Sequence, residues 1–353
     1  MSVHPGQYGD RNMKDLEFYR GKTVLLTGHT GFKGTWFSIW LKELGATVVG
    51  YSLDPESNFY EMSGLKIVDT RADVRDYQKL KEVFKTYKPE VVFHFAAQSL
   101  VRRSYDKPRE TFETNVMGTV NLLECIREFK PISTVIITSD KCYKNTGKDL
   151  GYIESDELGG RDPYSSSKAC AELVAHAYYN SFLAGEGIAT ARAGNIIGGG
   201  DWAEDRLIPD CVRYLLNKKP IQIRNPESTR PWQFVLEPLH GYLTLGIRLA
   251  RDKNLSGAYN FGPDSSIKVK DVVNKLIRKW GSGTWVHKET KDKPEASQLT
   301  LNCNKVKNIL QWKPVLDIDT ALDFVIDWYK NYKSRDVYKL CTSQINQYMR
   351  MRT

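Results

Sequence analysis

One short stretch near the N-terminus limits most strictly what this chain can fold into. Thr23 to Thr27 is a β-rich apolar run, Gly28-His29-Thr30-Gly31-Phe32-Lys33-Gly34 follows directly, and Thr35 to Leu44 continues with helical patterning. Strand, glycine turn and helix in that order put Gly28, Gly31 and Gly34 where the backbone turns tightly and can approach a ligand. A pyrophosphate suits the position, because a helix N-terminus offers unpaired N–H groups and the positive end of its dipole. A second strand, Thr47 to Tyr51, leads to Asp54, 20 residues beyond Gly34, where a ribose-binding acid is expected. A glycine pattern alone is a weak signal; the strand, helix and second strand around it give it weight.

The alternation persists. Strands are expected at Ile67 to Val74, Val91 to Phe95, Ser133 to Thr138 and Ile188 to Ala193, with helices at Tyr77 to Tyr87, Pro108 to Phe129 and Pro163 to Ser181. This predicts an α/β protein, a Rossmann-type doubly wound parallel sheet with a smaller C-terminal substrate-binding lobe. Ligands bind at the carboxyl ends of such strands, which places Asp73, Ala96, Ala97, Gln98 and Ser139 beside a dinucleotide. NAD is expected rather than NADP, since Asp54 would repel a 2′-phosphate and no arginine flanks it closely. Lys33 reads equally as a phosphate ligand or as a solvated lysine on the first helical turn. Residues 1–20 are expected to form a loosely held arm, 21–195 the dinucleotide-binding domain with 234–262 returning to it, 196–233 and 263–333 the lobe, and 334–353 a tail with loosely helical periodicity.

With 353 residues, 41% hydrophobic and 26% charged, the composition is globular. The formal net charge is +9, yet Lys and Arg are interspersed with acids, so no basic stripe points to nucleic acid. No apolar run approaches the roughly 18 residues of a membrane-spanning helix. Cys125, Cys142, Cys170, Cys211, Cys303 and Cys341 form no Cys-x-x-Cys pair, which suggests reduced cytosolic thiols. His29, His94, His176 and His240 show no metal-ligand spacing, so no metal is expected, and His94 in its apolar strand reads as a core histidine. Neither an NTPase phosphate loop nor a serine-hydrolase elbow occurs.

The chemistry-bearing spacing is Tyr164-Ser165-Ser166-Ser167-Lys168 at a helix start, which sets a phenol and an ammonium on one helical face. A neighbouring cation stabilises phenolate, so Tyr164 is expected to ionise near neutral pH and to act as a base on a hydroxyl. Thr138-Ser139-Asp140-Lys141 precedes it by one strand and helix; Asp140 and Lys141 read either as an acid and base pair or as a strand-end ion pair.

Taken together, the glycine run, Asp73-Val74, Ala96-Ala97-Gln98, Thr138-Ser139 and Tyr164 to Lys168 resemble the extended short-chain dehydrogenase/reductase family. Ala96 to Tyr105, Thr138 to Tyr143, Asp162 to Lys168, Arg192 to Trp202 and Arg230 to Gln233 resemble its nucleotide-sugar dehydratase branch, and the likeness runs from Gly21 to about Tyr332. The resemblance implies a redox-neutral cycle on a nucleotide hexose, CDP-glucose, with NAD held by Gly28, Thr30, Gly31, Phe32, Lys33, Gly34, Asp54, Asp73, Val74, Ala96, Ala97, Gln98, Thr138, Tyr164 and Lys168. Tyr164 with Lys168 would oxidise carbon 4, Ser139 would hydrogen-bond the sugar, and Asp140 and Lys141 would be the acid and base that eliminate water.

Ser99, Arg103, Asn195, Arg206, Arg230 and Trp232 would contact substrate. Arginine suits phosphate through its planar fork, but Arg206 and Arg230 also fit surface ion pairing, and Trp232 fits lobe packing better than base stacking. A homodimer or homotetramer, paired through the helix of Tyr164 and the one before it, a cytoplasmic setting and a product destined for surface deoxysugars such as lipopolysaccharide O-antigen are implied in the same way. The rival readings are a 4,6-dehydratase of a GDP-, dTDP- or UDP-hexose, a nucleotide-sugar 4-epimerase, which has no use for Asp140 and Lys141, and an NAD-sensing binding protein, which has no use for Tyr164 and Lys168.

Overall fold

A computed structural model describes residues 14–263, 265–288 and 299–352. Its centre is a seven-stranded parallel sheet. In chain order the strands are β1 (Thr23–Thr27), β2 (Thr47–Ser52), β3 (Val68–Arg71), β4 (Val91–His94), β5 (Ser133–Ile137), β6 (Ile188–Ala193) and β7 (Gly257–Phe261). Their spatial order is β7-β6-β5-β4-β1-β2-β3, so the winding direction reverses between β1 and β4. Side chains alternate along β1: Val24 and Leu26 join one buried cluster with Trp36, Phe37 and Trp40, whereas Leu25 joins another with Leu80, Phe84, Leu122 and Ile126. Both faces are therefore covered, which is why these strands read as short apolar runs rather than alternating ones.

The helices that cover the sheet and carry the site are α1 (Phe32–Glu43), α2 (Tyr77–Tyr87), α3 (Val101–Asp106), α4 (Gly118–Phe129), α5 (Pro163–Phe182), α6 (Leu207–Leu216), α7 (Leu236–Arg251) and α8 (Ile318–Asn331). Helix α5 starts where local chemistry tells it to: Asp162 caps it by accepting from the Ser165 N–H at 2.9 Å, and Pro163 occupies the first turn. The expected single helix from Pro108 to Phe129 is interrupted by a wide turn at Glu113–Met117, and α3 was not foreseen.

Two expectations about the chain ends change. The arm lies partly outside the described residues, but its 14–20 portion is not loose: Leu16 and Tyr19 are buried and Tyr19 Oη donates to Leu243 O at 2.7 Å. The tail is a helix, α9 (Val337–Met351), packed on α1 with Tyr348 edge-on to Trp40. Glu237 on α7 is the buried anchor. Its Oε1 accepts from the Val315 and Leu316 N–H groups, both at 2.7 Å, and its Oε2 from Tyr348 Oη at 2.8 Å and Arg352 Nη1 at 3.1 Å. Arg352→Ala leaves that buried charge without its cation and is expected to lower stability by about 3–5 kcal/mol, measured by urea unfolding. A midpoint equal to wild type would refute this role.

Candidate active site

The carboxyl ends of the strands open into a cleft of about 1750 Å³, lined by every residue singled out above for cofactor, substrate or chemistry. That volume exceeds a typical small-molecule pocket and has room for two nucleotides.

The glycine turn sits at the reversal between β1 and β4. Gly28 has φ +74°, and a Cβ there would lie 2.7 Å from Ala96 N; one on Gly34 would lie 2.0 Å from Gly28 O. Those two glycines are required by backbone packing. A Cβ on Gly31 would meet only Gly28 O, at 3.5 Å, so this position faces open cleft, as a pyrophosphate cradle requires. The residues present fit a dinucleotide. Thr30 Oγ1 lies 2.8 Å from Ser52 Oγ and donates to Leu53 O, tying the turn to the end of β2. His29 turns away from the cleft, its Nε2 2.9 Å from Asp69 Oδ1, and burial lowers its pKa.

Farther along, Asp54 is exposed, and Arg71 Nη1 is 3.8 Å from its Oδ1. An arginine does flank it, because β2–β3 pairing sets Ser52 opposite Arg71. The reading that Asp54 stands alone against a 2′-phosphate is thereby corrected. Asp73 is gripped by Arg75 at 2.6 Å, which lowers its pKa, and Val74 packs where a Cβ on Gly118 would strike it. Gln98 spends its side chain internally, donating to Thr111 Oγ1 and Leu100 O. Asn115, not anticipated from sequence, accepts from the Gln98 N–H and donates to Ser167 Oγ, joining the β4 loop to α5. His94 is held between Thr27 and Thr119, as a core histidine should be.

At the cleft floor Ser139 Oγ donates to Asp140 Oδ1 at 3.0 Å, while the buried Asp140 Oδ2 has no hydrogen-bond partner. Burial pushes the Tyr164 phenol up to about 12, although the neighbouring Ser139 acts to lower it. Lys168 donates from Nζ to Ile137 O at 3.1 Å, and burial pulls it down to about 8. The expectation that Lys168 by itself ionises Tyr164 near neutral pH is not met: removal from water outweighs the cations around the phenol. Lys33 is pulled down to about 7, by burial first and then by the charges of Lys168 and Arg206. Three cations thus crowd one part of the cleft, with Asp140 and Asp201 only partly offsetting them at Lys33, an arrangement that an anionic ligand relieves.

On the lobe side, Arg206 joins Asp201 Oδ2 and Ser99 Oγ, each at 3.0 Å, across the cleft. Arg103 is held by Glu56 and Glu110. Arg230 is buried, donating to Thr229 O at 2.9 Å, and Trp232 donates from Nε1 to Ile267 O at 3.2 Å, so both are fixed in the wall. The Asn195 carbonyl accepts from Gln233 N. Beneath Asp140 lies a second group the sequence reading missed: Glu172 and Arg192, a buried ion pair at 2.7 Å. Glu172 follows Lys168 by one helical turn, a spacing that could have revealed it.

The family described as GDP-mannose 4,6 dehydratase matches residues 25–324. The chain belongs to this family. It is 45% identical to a CDP-glucose 4,6-dehydratase of Salmonella typhimurium over 354 residues, covering 96% of this chain and 99% of that one. Its fold is shared by a dTDP-glucose 4,6-dehydratase from Bacillus anthracis solved in complex with NAD, with TM-score 0.75, 24% identity, and 91% of this chain and all of that one covered. An epimerase from Methanothermobacter thermautotrophicus superposes with TM-score 0.79 at 24% identity, over 91% of this chain and 96% of that one.

The crowded cations make anion binding pH-dependent. ADP-ribose should bind more weakly as pH rises from about 6 to about 9, by on the order of tenfold, as Lys33 and Lys168 lose their protons. Calorimetric titration should also register proton uptake on binding near pH 7–8, where those two groups titrate. An unchanging affinity across this range would show that the charges of these two lysines do not act on the bound anion.

Proposed function

We propose that the chain dehydrates CDP-D-glucose to CDP-4-dehydro-6-deoxy-D-glucose with NAD as a resident, unconsumed cofactor. The observation that carries the reading is the placement of Asp140 and Lys141, an acid and base pair, in the same cleft as Tyr164 and Lys168. The 45% identity to a CDP-glucose 4,6-dehydratase supports the base and the hexose. The Gly28–Gly34 turn, Asp54, Asp73, Val74, Ala96, Ala97, Gln98 and Thr138 would hold NAD, with Tyr164 and Lys168 at its reactive end. When bound, NAD supplies the hydride acceptor for carbon 4, a positively charged ring, and later the hydride for carbon 6.

The protein's own groups then divide the remaining work. Tyr164 takes the 4-hydroxyl proton once added positive charge lowers its raised pKa, a direction in which Arg206 already acts. Ser139, bonded to Asp140 and beside Tyr164, orients the hydroxyl. A ketone at carbon 4 acidifies the carbon 5 proton, which Lys141 removes, and the same group returns a proton to carbon 5 when carbon 6 is reduced. Asp140 protonates the leaving 6-hydroxyl through Oδ2, the oxygen with no protein partner. Arg206 and Lys33 compensate the diphosphate charge, while Ser99, Arg103, Asn195, Arg230 and Trp232 shape its path.

The chain pairs with a second copy through α4 and α5, supported by exposed Met117, Leu173 and Phe182 on and beside these helices. Among the described residues no helix is long and apolar enough to cross a membrane. Together with six cysteines in no disulfide, this supports a cytoplasmic enzyme supplying precursors of surface deoxysugars, O-antigen among them.

Offered CDP-, dTDP-, GDP- and UDP-hexoses in turn, the protein should convert CDP-glucose fastest, losing one water with no net reduction of NAD. Mass and NMR analysis of products decide this, and inversion at carbon 4 with retention of the 6-hydroxyl would instead mean an epimerase. Tyr164→Phe should bind substrate normally and slow the first oxidation by roughly 10²- to 10⁴-fold in single-turnover absorbance. Near-normal oxidation would assign that proton to another group. Lys141→Ala should oxidise carbon 4 and stop there, with no solvent deuterium entering carbon 5; dehydration at the wild-type rate would remove Lys141 from the mechanism.

A further inference from the structure

The Glu172–Arg192 pair is sealed from solvent, with side chains 3% and 4% exposed. Arg192 Nη2 and Thr190 Oγ1 both donate to Glu172 Oε2 at 2.7 Å, and Thr138 Oγ1 donates to Oε1. Arg192 Nη1 reaches the other way, donating to Tyr143 Oη at 2.7 Å and to Glu154 O at 2.9 Å. Tyr143 Oη in turn donates to Asn260 Oδ1 at 2.8 Å, and the guanidinium carbon lies 4.8 Å from the Tyr143 ring centroid. Desolvating two charges offsets most of what their attraction returns, so such a pair is a poor way to gain stability. What distinguishes this one is what it grips. Thr138 and Tyr143 bracket Ser139, Asp140 and Lys141, one at each end of that loop. Glu172 rides on α5, one turn beyond Lys168 and two beyond Tyr164.

We infer that Glu172 and Arg192 form a positioning unit that locks the loop of Asp140 and Lys141 to the helix of Tyr164 and Lys168, so that oxidation and elimination act on one sugar in one pose. The inference rests on the proposed two-stage dehydration. Neither residue lines the cleft, so neither touches substrate. The pair acts through its partners in two separable ways.

The first is electrostatic. Lys168 is faced by Glu172 from its own helix, by Cys142 from the loop, by His94 at the end of β4 and by Lys33 on the first turn of α1. Of these, Glu172 is the leading group that sustains the ammonium against burial. The second is mechanical: the Tyr143 hydroxyl transmits the position of Arg192 to the far end of the loop.

Two variants separate these effects. Glu172→Gln keeps the shape and the acceptor but removes the charge, so Lys168 should titrate about one pH unit lower, followed by NMR of lysine-labelled protein without cofactor. Tyr143→Phe keeps the ring and removes the hydroxyl; it should leave Lys168 titrating near 8 and single-turnover oxidation unchanged. Its loss of water and its solvent deuterium entry at carbon 5 should slow about five- to tenfold, the effect of one hydrogen bond. Because Glu172→Gln could fail to fold around Arg192, Tyr143→Phe tests the linkage independently. An unchanged Lys168 titration in folded Glu172→Gln, or equal slowing of oxidation and elimination in Tyr143→Phe, overturns the inference. A wild-type protein that does not dehydrate CDP-glucose would instead overturn the proposed function, leaving the Lys168 titration as a separate result.

Discussion

The close approach of two backbones, Gly28 at the end of β1 and Ala96 at the end of β4, is the constraint on which the rest depends. A Cβ on Gly28 would lie 2.7 Å from Ala96 N, so the strands can meet at the reversal of the sheet only with no side chain between them. From that contact the cleft follows. The chain leaves β1 toward one face and returns to β4 past the other, and every strand beyond it, β5 and β6 included, delivers its loop to the same edge. Asp140 and Lys141 follow β5, Asn195 follows β6, and Tyr164 and Lys168 arrive on α5 between them.

Once assembled, the site is governed by burial. Water is scarce enough that Tyr164 holds its proton firmly while Lys168 and Lys33 hold theirs weakly. The same low-dielectric environment pushes acid and cation in opposite directions, and both displacements shrink when a diphosphate and a cationic ring enter. On the proposed mechanism the ligands are therefore part of the catalytic machinery, moving these groups toward the charge state in which they would work. The unpaired Asp140 Oδ2 belongs to the same pattern, since a buried carboxyl oxygen without a partner costs stability that a polar ligand group would return.

Much of this was legible in sequence, for physical reasons. Fully buried parallel strands leave short apolar runs, glycine turns leave glycines, and a helix start leaves Asp162-Pro163; β1, α2 and β6 accordingly fall at their expected bounds. The residues chosen for ligand and chemistry line one cleft, because strand ends converge. What was not legible depended on contacts between distant elements. Arg71 reaches Asp54 through strand register, Glu172 meets Arg192 across α5 and β6, and the 14–20 segment is held by the Tyr19 hydroxyl on Leu243 O and by Arg251 on Asp15, partners more than 200 residues away. The raised pKa of Tyr164 was hidden too: spacing shows that a lysine is near, but only burial shows which influence wins.

The central claim is that one cleft both oxidises carbon 4 and reduces carbon 6 of the same sugar, with Asp140 and Lys141 working in between. CDP-glucose carrying deuterium at carbon 4, turned over as a mixture with unlabelled substrate, tests it most directly by mass spectrometry and NMR of the product. The account predicts that the label appears at carbon 6 of the molecule that carried it, with none passing to unlabelled substrate. Deuterium remaining at carbon 4, or scrambled between molecules, would contradict it.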